Sequence, residues 1–345
     1  MAAFDRFPVR MRPVVLPKLW GGDALGRLLG KPGGEKAGES WEVSDRPGFE
    51  SVVMDGPASG LPFSEYIARM GEHFYGGAVS GTGFPLLVKF IGPSQWLSVQ
   101  VHPADGSAAE GEAGKAEAWV VIDAPEDGRI VYGVRGGREA FEAALAGGTL
   151  RDALGWLPVR AGDVVNIPAG TVHALGPNVT VYEIQQSSDT TYRVYDWDRI
   201  DGDTGRPRAL HTQQALRVID WDAGFVRRTG LTLPEAGAAR TLLICNRHFA
   251  LERIDADGTF IDHGPGGFSV WSVASGIGSV RCSDPGRGFD VKAGDSFVVP
   301  ACATGLHFEG RAALLRGHTT PPAEMRRWLL QRGVSAQELR TIDWR

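Results

Sequence analysis

One eight-residue pattern, AGD followed five residues on by Pro, occurs twice in this chain, and that repetition limits the available folds more than any other feature. Residues 161–168 read AGDVVNIP and residues 293–300 read AGDSFVVP, with an alanine after the proline in both copies. Upstream of each copy an apolar run carries a tryptophan, Trp119 in AEAWVVID and Trp271 in FSVWSVAS. Two jelly-roll-like β-sandwiches in tandem produce such a pattern.

The rest of the chain reads the same way. Its 47 glycines and 21 prolines are spread evenly and separate short Val/Ile-rich runs, the signature of many strands joined by turns. Strands are expected at 86–91, 118–123, 163–168, 179–185, 267–273 and 295–300. Helical spacing interrupts them at 62–76, at 138–156 and in a C-terminal stretch, 321–340. A chain of 345 residues is long for one domain. The strand pattern weakens near 225–240, so the expected units are 1–230, with the first two helical segments, and 231–345, with the C-terminal helix. The Gly-rich stretch 21–34 lacks phosphate-loop spacing and reads as a flexible loop.

Composition excludes some partners. Thirty-six basic against 41 acidic residues give a net charge of −5, and no predicted face clusters the basic ones, which argues against nucleic acid. No stretch approaches 18 uncharged apolar residues, and the N-terminal MAAFDRFPVRMRP carries charges and prolines, so a cytoplasmic protein without membrane contact is expected. Three irregularly spaced cysteines, Cys245, Cys282 and Cys302, fit reduced, mostly buried thiols rather than disulfides or a thiolate metal site. Oligomeric state is not readable.

The two copies differ in their polar equipment. After the first, AGTVHALG supplies Gly170 and His173; after the second, Gly305 stands where His173 would be, and Ser269 aligns with Glu117. Chemistry is therefore expected in the first unit only. Gly162, Pro168, Gly170 and His173 fit G-x5-P-x-G-x2-H. This segment resembles the second motif of the cupin superfamily, whose small barrels hold one metal ion; the Asn usual four residues after the histidine is replaced by Pro177. The resemblance implies a mainly β fold of two tandem cupin-like sandwiches with a helical insertion and a C-terminal helix.

Side chains alternate along a strand, so in LSVQVHP residues Ser98, Gln100 and His102 face one way, as do Lys115 and Glu117 in KAEAW. Together with His173, Gln100, His102 and Glu117 offer two nitrogens and two oxygens, one anionic. That donor set suits one Zn²⁺ per chain, or another borderline divalent ion, better than Ca²⁺ or Mg²⁺.

These strings, with YEIQQSSDTTYRVYDWDR at 182–199, also resemble type I phosphomannose isomerases, most closely their short bacterial form. The likeness covers roughly 15–215, with PKLWGG and GESWEVSD adding weaker support. It implies metal ligation by Gln100, His102, Glu117 and His173, and catalytic roles for Arg193, Lys115 and Asp189. Lys89 and Ser98 match positions that hold the substrate phosphate.

The implied chemistry interconverts mannose 6-phosphate and fructose 6-phosphate by moving a proton between C1 and C2. It needs a base for the C–H proton and positive charge at the developing oxyanion. Which residue is the base is not readable from the sequence. A lysine near a divalent ion loses its proton more readily than a free one. Two other readings stand beside this one: a different metal-dependent cupin enzyme, an oxygenase or decarboxylase, or a non-catalytic sugar-phosphate-binding cupin. His73, His211, His248, His263, His307 and His318 lie outside any motif and are read as structural.

Overall fold

A computed structural model of the chain describes residues 6–77, 83–108, 111–202, 204–282, 287–303 and 305–345. The described residues form a mainly β protein with antiparallel pairing in three sheets. A six-stranded sheet runs Val164–Ile167, Glu117–Asp123, Thr180–Gln186, Leu86–Ile91, Ala37–Val43, Val14–Gly22. A five-stranded sheet runs Tyr192–Tyr195, Val99–Val101, His173–Ala174, Arg129–Val134, Leu154–Pro158. Between them Trp119, Val121 and Val165 pack against Ile130, Tyr132 and Leu175, closing the first sandwich.

The second half is built on a sheet running from Leu231–Glu235 through Ala250–Ile261, His307–His318 and Ser269–Arg281 to Ser296–Val299. That sheet continues into the first half: Val9–Arg12 pairs with Ser296–Val299, and Val52–Val53 pairs with Val9–Arg12. The outer face of the six-stranded sheet, including Val88, Phe90, Val120 and Ile184, packs in the same core as Phe249, Leu251, Val270 and Leu315. A sheet covered on both faces reads as an unbroken apolar run, which is why LLVKFI is buried at every position.

The repeat is structural as well as textual. In the first copy Gly162 N–H donates to the Val121 carbonyl (2.8 Å) and Val121 N–H to that of Asp163 (2.9 Å); Gly294, Val273 and Asp295 repeat both bonds at the same distances. Both glycines sit near φ 90°, where a Cβ is strained. Trp119 pairs with Val165 and Trp271 with Phe297, so the two tryptophans are true counterparts.

The helices are shorter than their sequence spacing predicts. The 62–76 segment splits at Gly71 into Phe63–Met70 and Glu72–Tyr75. There Phe74 stacks on Phe268 at 5.4 Å, a contact between the two halves. Burial of one such ring contributes about 2–3 kcal/mol. The 138–156 segment is helical only over Gly137–Ala146. Gly148 at φ 71° stops it, and Leu154–Pro158 leaves as a strand beside Arg129–Val134, because cross-strand pairing outweighs the helical periodicity of TLRDALGW. The C-terminal helix covers Pro322–Leu330, followed by a 3₁₀ turn at Glu338–Thr341.

Two further expectations are corrected. The supposed flexible loop at 21–34 contains a helix, Ala24–Leu29, pinned by fully buried Leu25 and by Leu29. The 225–240 stretch is not strand-free, since Leu231–Glu235 pairs with Ala238–Cys245. A short helix at Thr212–Val218 was not anticipated. The three cysteines are free thiols; Cys245 is buried, whereas Cys282 and Cys302 are partly exposed. No described helix is long and apolar enough to cross a membrane.

Candidate metal and sugar-phosphate site

The five-stranded sheet places three candidate residues in one row. Gln100 pairs with His173 on one side and with Arg193 on the other, and directly opposed residues share a face. His102 follows two residues later on the same side as Gln100. Glu117 comes from the facing sheet, where the strand that carries it also carries Trp119 two residues on. The ligand atoms of His102, Glu117 and His173 lie within 4.8 Å of one another, and all three residues are buried.

Backbone carbonyls settle how the imidazoles point. His102 Nδ1 donates to the Thr190 carbonyl and His173 Nδ1 to that of Thr171, both at 2.9 Å. This leaves each Nε2 as the inward lone pair, the arrangement a metal-ligating histidine needs. Gln100 Nε2 lies 3.2 Å from His173 Nε2, so its amide reaches the same centre.

Charge at this centre is lopsided. The Glu117 oxygens lie 3.1 Å from His173 Nε2 and from Lys115 Nζ, yet neither oxygen accepts an aligned hydrogen bond. Lys115 Nζ instead donates to His102 Nε2 at 3.0 Å. Burial alone raises the Glu117 pKa, but the neighbouring Lys115 ammonium outweighs it and holds the carboxyl well below its usual range. Burial and then Lys115 push His102 well below the usual imidazole range. Two lone-pair nitrogens and an orphaned buried carboxylate around one point, with an ammonium drawn in between, fit a divalent cation.

A pocket of about 330 Å³ opens beside this centre, lined among others by Lys89, Ser98, Gln100, Lys115, Asp189 and Arg193. All the candidate residues read from the sequence therefore meet either at the cation centre or on this one pocket wall. Lys89 is buried; it bonds Gln185 Oε1 at 2.9 Å, lies 3.2 Å from Glu183, and sits over the Trp41 ring. Desolvation lowers its pKa, but Glu183 and then Glu39 more than reverse this, so it is held protonated.

Sequence reasoning missed several wall residues: Lys18, Trp20, Glu39, Glu183 and Arg208. Glu183 carried a usable signal, being an acid within the apolar strand VYEI just as Lys89 is a base within LLVKFI. The carbonyls of Thr171 and Thr190 carried none, because a backbone acceptor leaves no mark in residue identity.

Comparison with known proteins gives the family. Residues 9–123 match the family described as phosphomannose isomerase type I, catalytic domain. The chain is 34% identical over 316 residues to the mannose-6-phosphate isomerase of Streptococcus mutans serotype c, covering 90% of this chain and 98% of that one. It is 32% identical over 315 residues to mannose-6-phosphate isomerase ManA of Bacillus subtilis, with 90% and 98% covered. A crystal structure of the mannose 6-phosphate isomerase from Bacillus subtilis superposes with a TM-score of 0.85 at 32% identity, over 90% of this chain and 99% of that one. Likeness of this extent, end to end along both relatives and on the same fold, makes the chain a member of the type I phosphomannose isomerase family.

Proposed function

We propose that the chain is a metal-dependent aldose–ketose isomerase that interconverts mannose 6-phosphate and fructose 6-phosphate by proton transfer between C1 and C2. The observation that carries this reading is the buried His102, Glu117 and His173 cluster beside a pocket of sugar-phosphate size. With Gln100 those residues would hold one Zn²⁺ per chain within a cupin-type sandwich. A bound divalent cation supplies Lewis-acid charge for an oxygen at C1 or C2.

The chain's own groups do the rest. Lys115 and Arg193 line the pocket and add positive charge where the enediolate oxyanion develops. Asp189 makes no ion pair among the described residues, which leaves its carboxylate free to accept and return a proton. Lys89, held protonated, and Ser98 donate to the phosphate. The units are proposed as 1–230, catalytic, and 231–345, with the Val9–Arg12 strand lent to the second unit's sheet. A doubly charged sugar phosphate does not cross membranes unaided, which favours the cytoplasm as the place of work.

Family membership favours the isomerase over the oxygenase, decarboxylase and non-catalytic readings. The deciding assay follows interconversion of the two sugar phosphates by metal-loaded and chelator-treated protein. Turnover lost on chelation and regained with Zn²⁺ is expected; a fully loaded protein that turns over neither sugar phosphate overturns the proposal.

A further inference from the structure

The pocket's charges are unevenly matched. Three lysines near it are each within reach of a carboxylate: Lys18 of Glu39 at 3.2 Å, Lys89 of Glu183 at 3.2 Å and Lys115 of Glu117 at 3.1 Å. These pairs can donate hydrogen bonds but bring little surplus charge. On the wall formed by Tyr192–Tyr195 and the segment after it, two guanidiniums, Arg199 and Arg208, share one buried carboxylate, Asp196, and a third, Arg193, has no carboxylate partner among the described residues. Arg199 is turned aside, donating to the Trp96 carbonyl at 2.5 Å and to Asp196. Arg193 and Arg208 both line the pocket.

The two arginines are fastened differently. Arg208 grips Asp196 with two parallel bonds, Nε to Oδ2 at 2.8 Å and Nη2 to Oδ1 at 2.5 Å, and its Nη1 amino group makes no hydrogen bond among the described residues. Arg193 donates through Nη1 to the Ala209 carbonyl at 2.8 Å, and its buried Nε has no partner. The segment bearing Arg208 is tied to the strand bearing Arg193 by two bonds between Arg193 and His211, at 2.7 and 3.1 Å. Held by Asp196 with one amino group spare and facing the cavity, Arg208 can donate to a tetrahedral oxyanion there while Arg193 stays with the reacting carbons. Arg193 already feels its neighbour: burial, then Arg208, lowers its pKa.

We propose that Arg208 is a substrate-binding residue which joins Lys89 and Ser98 in gripping the phosphate of the sugar phosphate, and that Asp196 is the positioning residue that aims it. Asp189 offsets part of the surplus positive charge but not all of it. The inference rests on the isomerase reading and adds to it what makes the pocket prefer a phosphorylated over a free sugar.

The test compares wild type with Arg208→Gln, Arg208→Lys and Asp196→Asn, using the metal-loaded full chain. Measured are kcat, the KM for mannose 6-phosphate and the inhibition constant of inorganic phosphate, with metal content and Tm as folding controls. Arg208→Gln is expected to raise KM and the phosphate inhibition constant together by about 10- to 100-fold, with kcat little changed. Arg208→Lys, which keeps the charge without the fork, and Asp196→Asn are expected to fall between; if the Gln variant does not fold, Arg208→Lys decides alone. Wild-type values for both constants, or a raised KM with an unchanged phosphate constant, overturn the proposal. Failure of the isomerase reading looks different: wild type itself shows no turnover, and phosphate binding followed by calorimetry still reports whether Arg208 serves an anion site.

Discussion

Lys89 and Glu252 stand at the same register position in the two halves of the molecule and carry opposite charges. Lys89 lies opposite Glu183, and Glu183 opposite Trp119; Glu252 lies opposite Arg316, and Arg316 opposite Trp271. The ion pair is kept with its polarity reversed, 3.2 Å in the first half and 2.7 Å in the second. In the first half it faces the pocket. In the second it is joined by Arg240, 2.8 Å from Glu252, and closed over by the turn at 262–266, where the Pro265 carbonyl accepts from Arg316 Nη2. A shared scaffold thus holds an open, chemically equipped site in one half and a sealed ionic knot in the other.

That knot is expected to make the second half acid-sensitive. Burial raises the pKa of Glu252, but Arg240 and Arg316 outweigh it and hold the carboxyl well below 4.5; Asp262 is likewise held below 3.8. A carboxyl whose folded pKa is depressed contributes stability that is complete above its unfolded pKa and is lost as pH falls through the folded one. Chemical-unfolding midpoints are therefore expected to be level near neutrality and to fall steeply below about pH 4.5. Glu252→Gln leaves Arg240 to Glu235 and Asp262 and Arg316 to Asp262 alone, should cost about 3 kcal/mol at pH 7, and should flatten the acid slope. An undiminished slope in that variant would show that other carboxylates set the acid limit.

In the first half the same pairing separates binding from stability. Lys89→Met leaves Glu183 buried without its cation, so about 3–5 kcal/mol of stability should go along with sugar-phosphate affinity. Adding Glu183→Gln removes the stranded charge; Trp119 Nε1, which donates to Glu183 at 2.7 Å, can donate to the amide oxygen instead. The double variant should regain most of the Tm while KM stays raised. Recovery of KM together with Tm would mean that Lys89 does no more than balance Glu183.

Much of this was legible in the sequence, and the remainder was hidden for identifiable reasons. Period-two alternation put Gln100 and His102 on one face, and the AGD repeat aligned Trp119 with Trp271, because both signals are local. The charge reversal between Lys89 and Glu252 needs strand register over more than sixty intervening residues, which neither string reveals. The helical spacing over 138–156 is cut short at Gly147 and Gly148, because two successive glycines end a helix whatever the apolar period beyond them. The loan of Val9–Arg12 to the second half's sheet is a long-range choice of partner that composition does not record.

The histidines should be separable from the fold. His173 is buried against Trp119 and donates only to its neighbouring Thr171 carbonyl, and the sandwich core around it is apolar. His173→Ala is expected to bring bound metal from about one ion per chain to near none and to abolish turnover. The loss of Tm should match an ordinary buried truncation, about 2–4 kcal/mol. His102→Ala should behave alike. Metal retained in both variants, measured by elemental analysis of protein dialysed against metal-free buffer, would place the ion elsewhere.

Lys115 is expected to let the metal-free protein keep its shape. Its ammonium lies 3.1 Å from Glu117 and 3.0 Å from His102 Nε2, so the buried carboxylate has a counter-charge even when no cation is bound. Chelation is therefore expected to end turnover while leaving the far-UV spectrum intact and lowering Tm only modestly. Lys115→Met removes that safeguard without removing a proposed ligand. Its metal-free form should lose about 3 kcal/mol or more, because Glu117 is left buried and uncompensated. Loading with Zn²⁺ should restore most of the loss, since binding to the folded state alone stabilises it by mass action. The measurement is the Tm shift on adding Zn²⁺, which should be clearly larger in Lys115→Met than in wild type; equal shifts would show that Lys115 does not stand in for the cation.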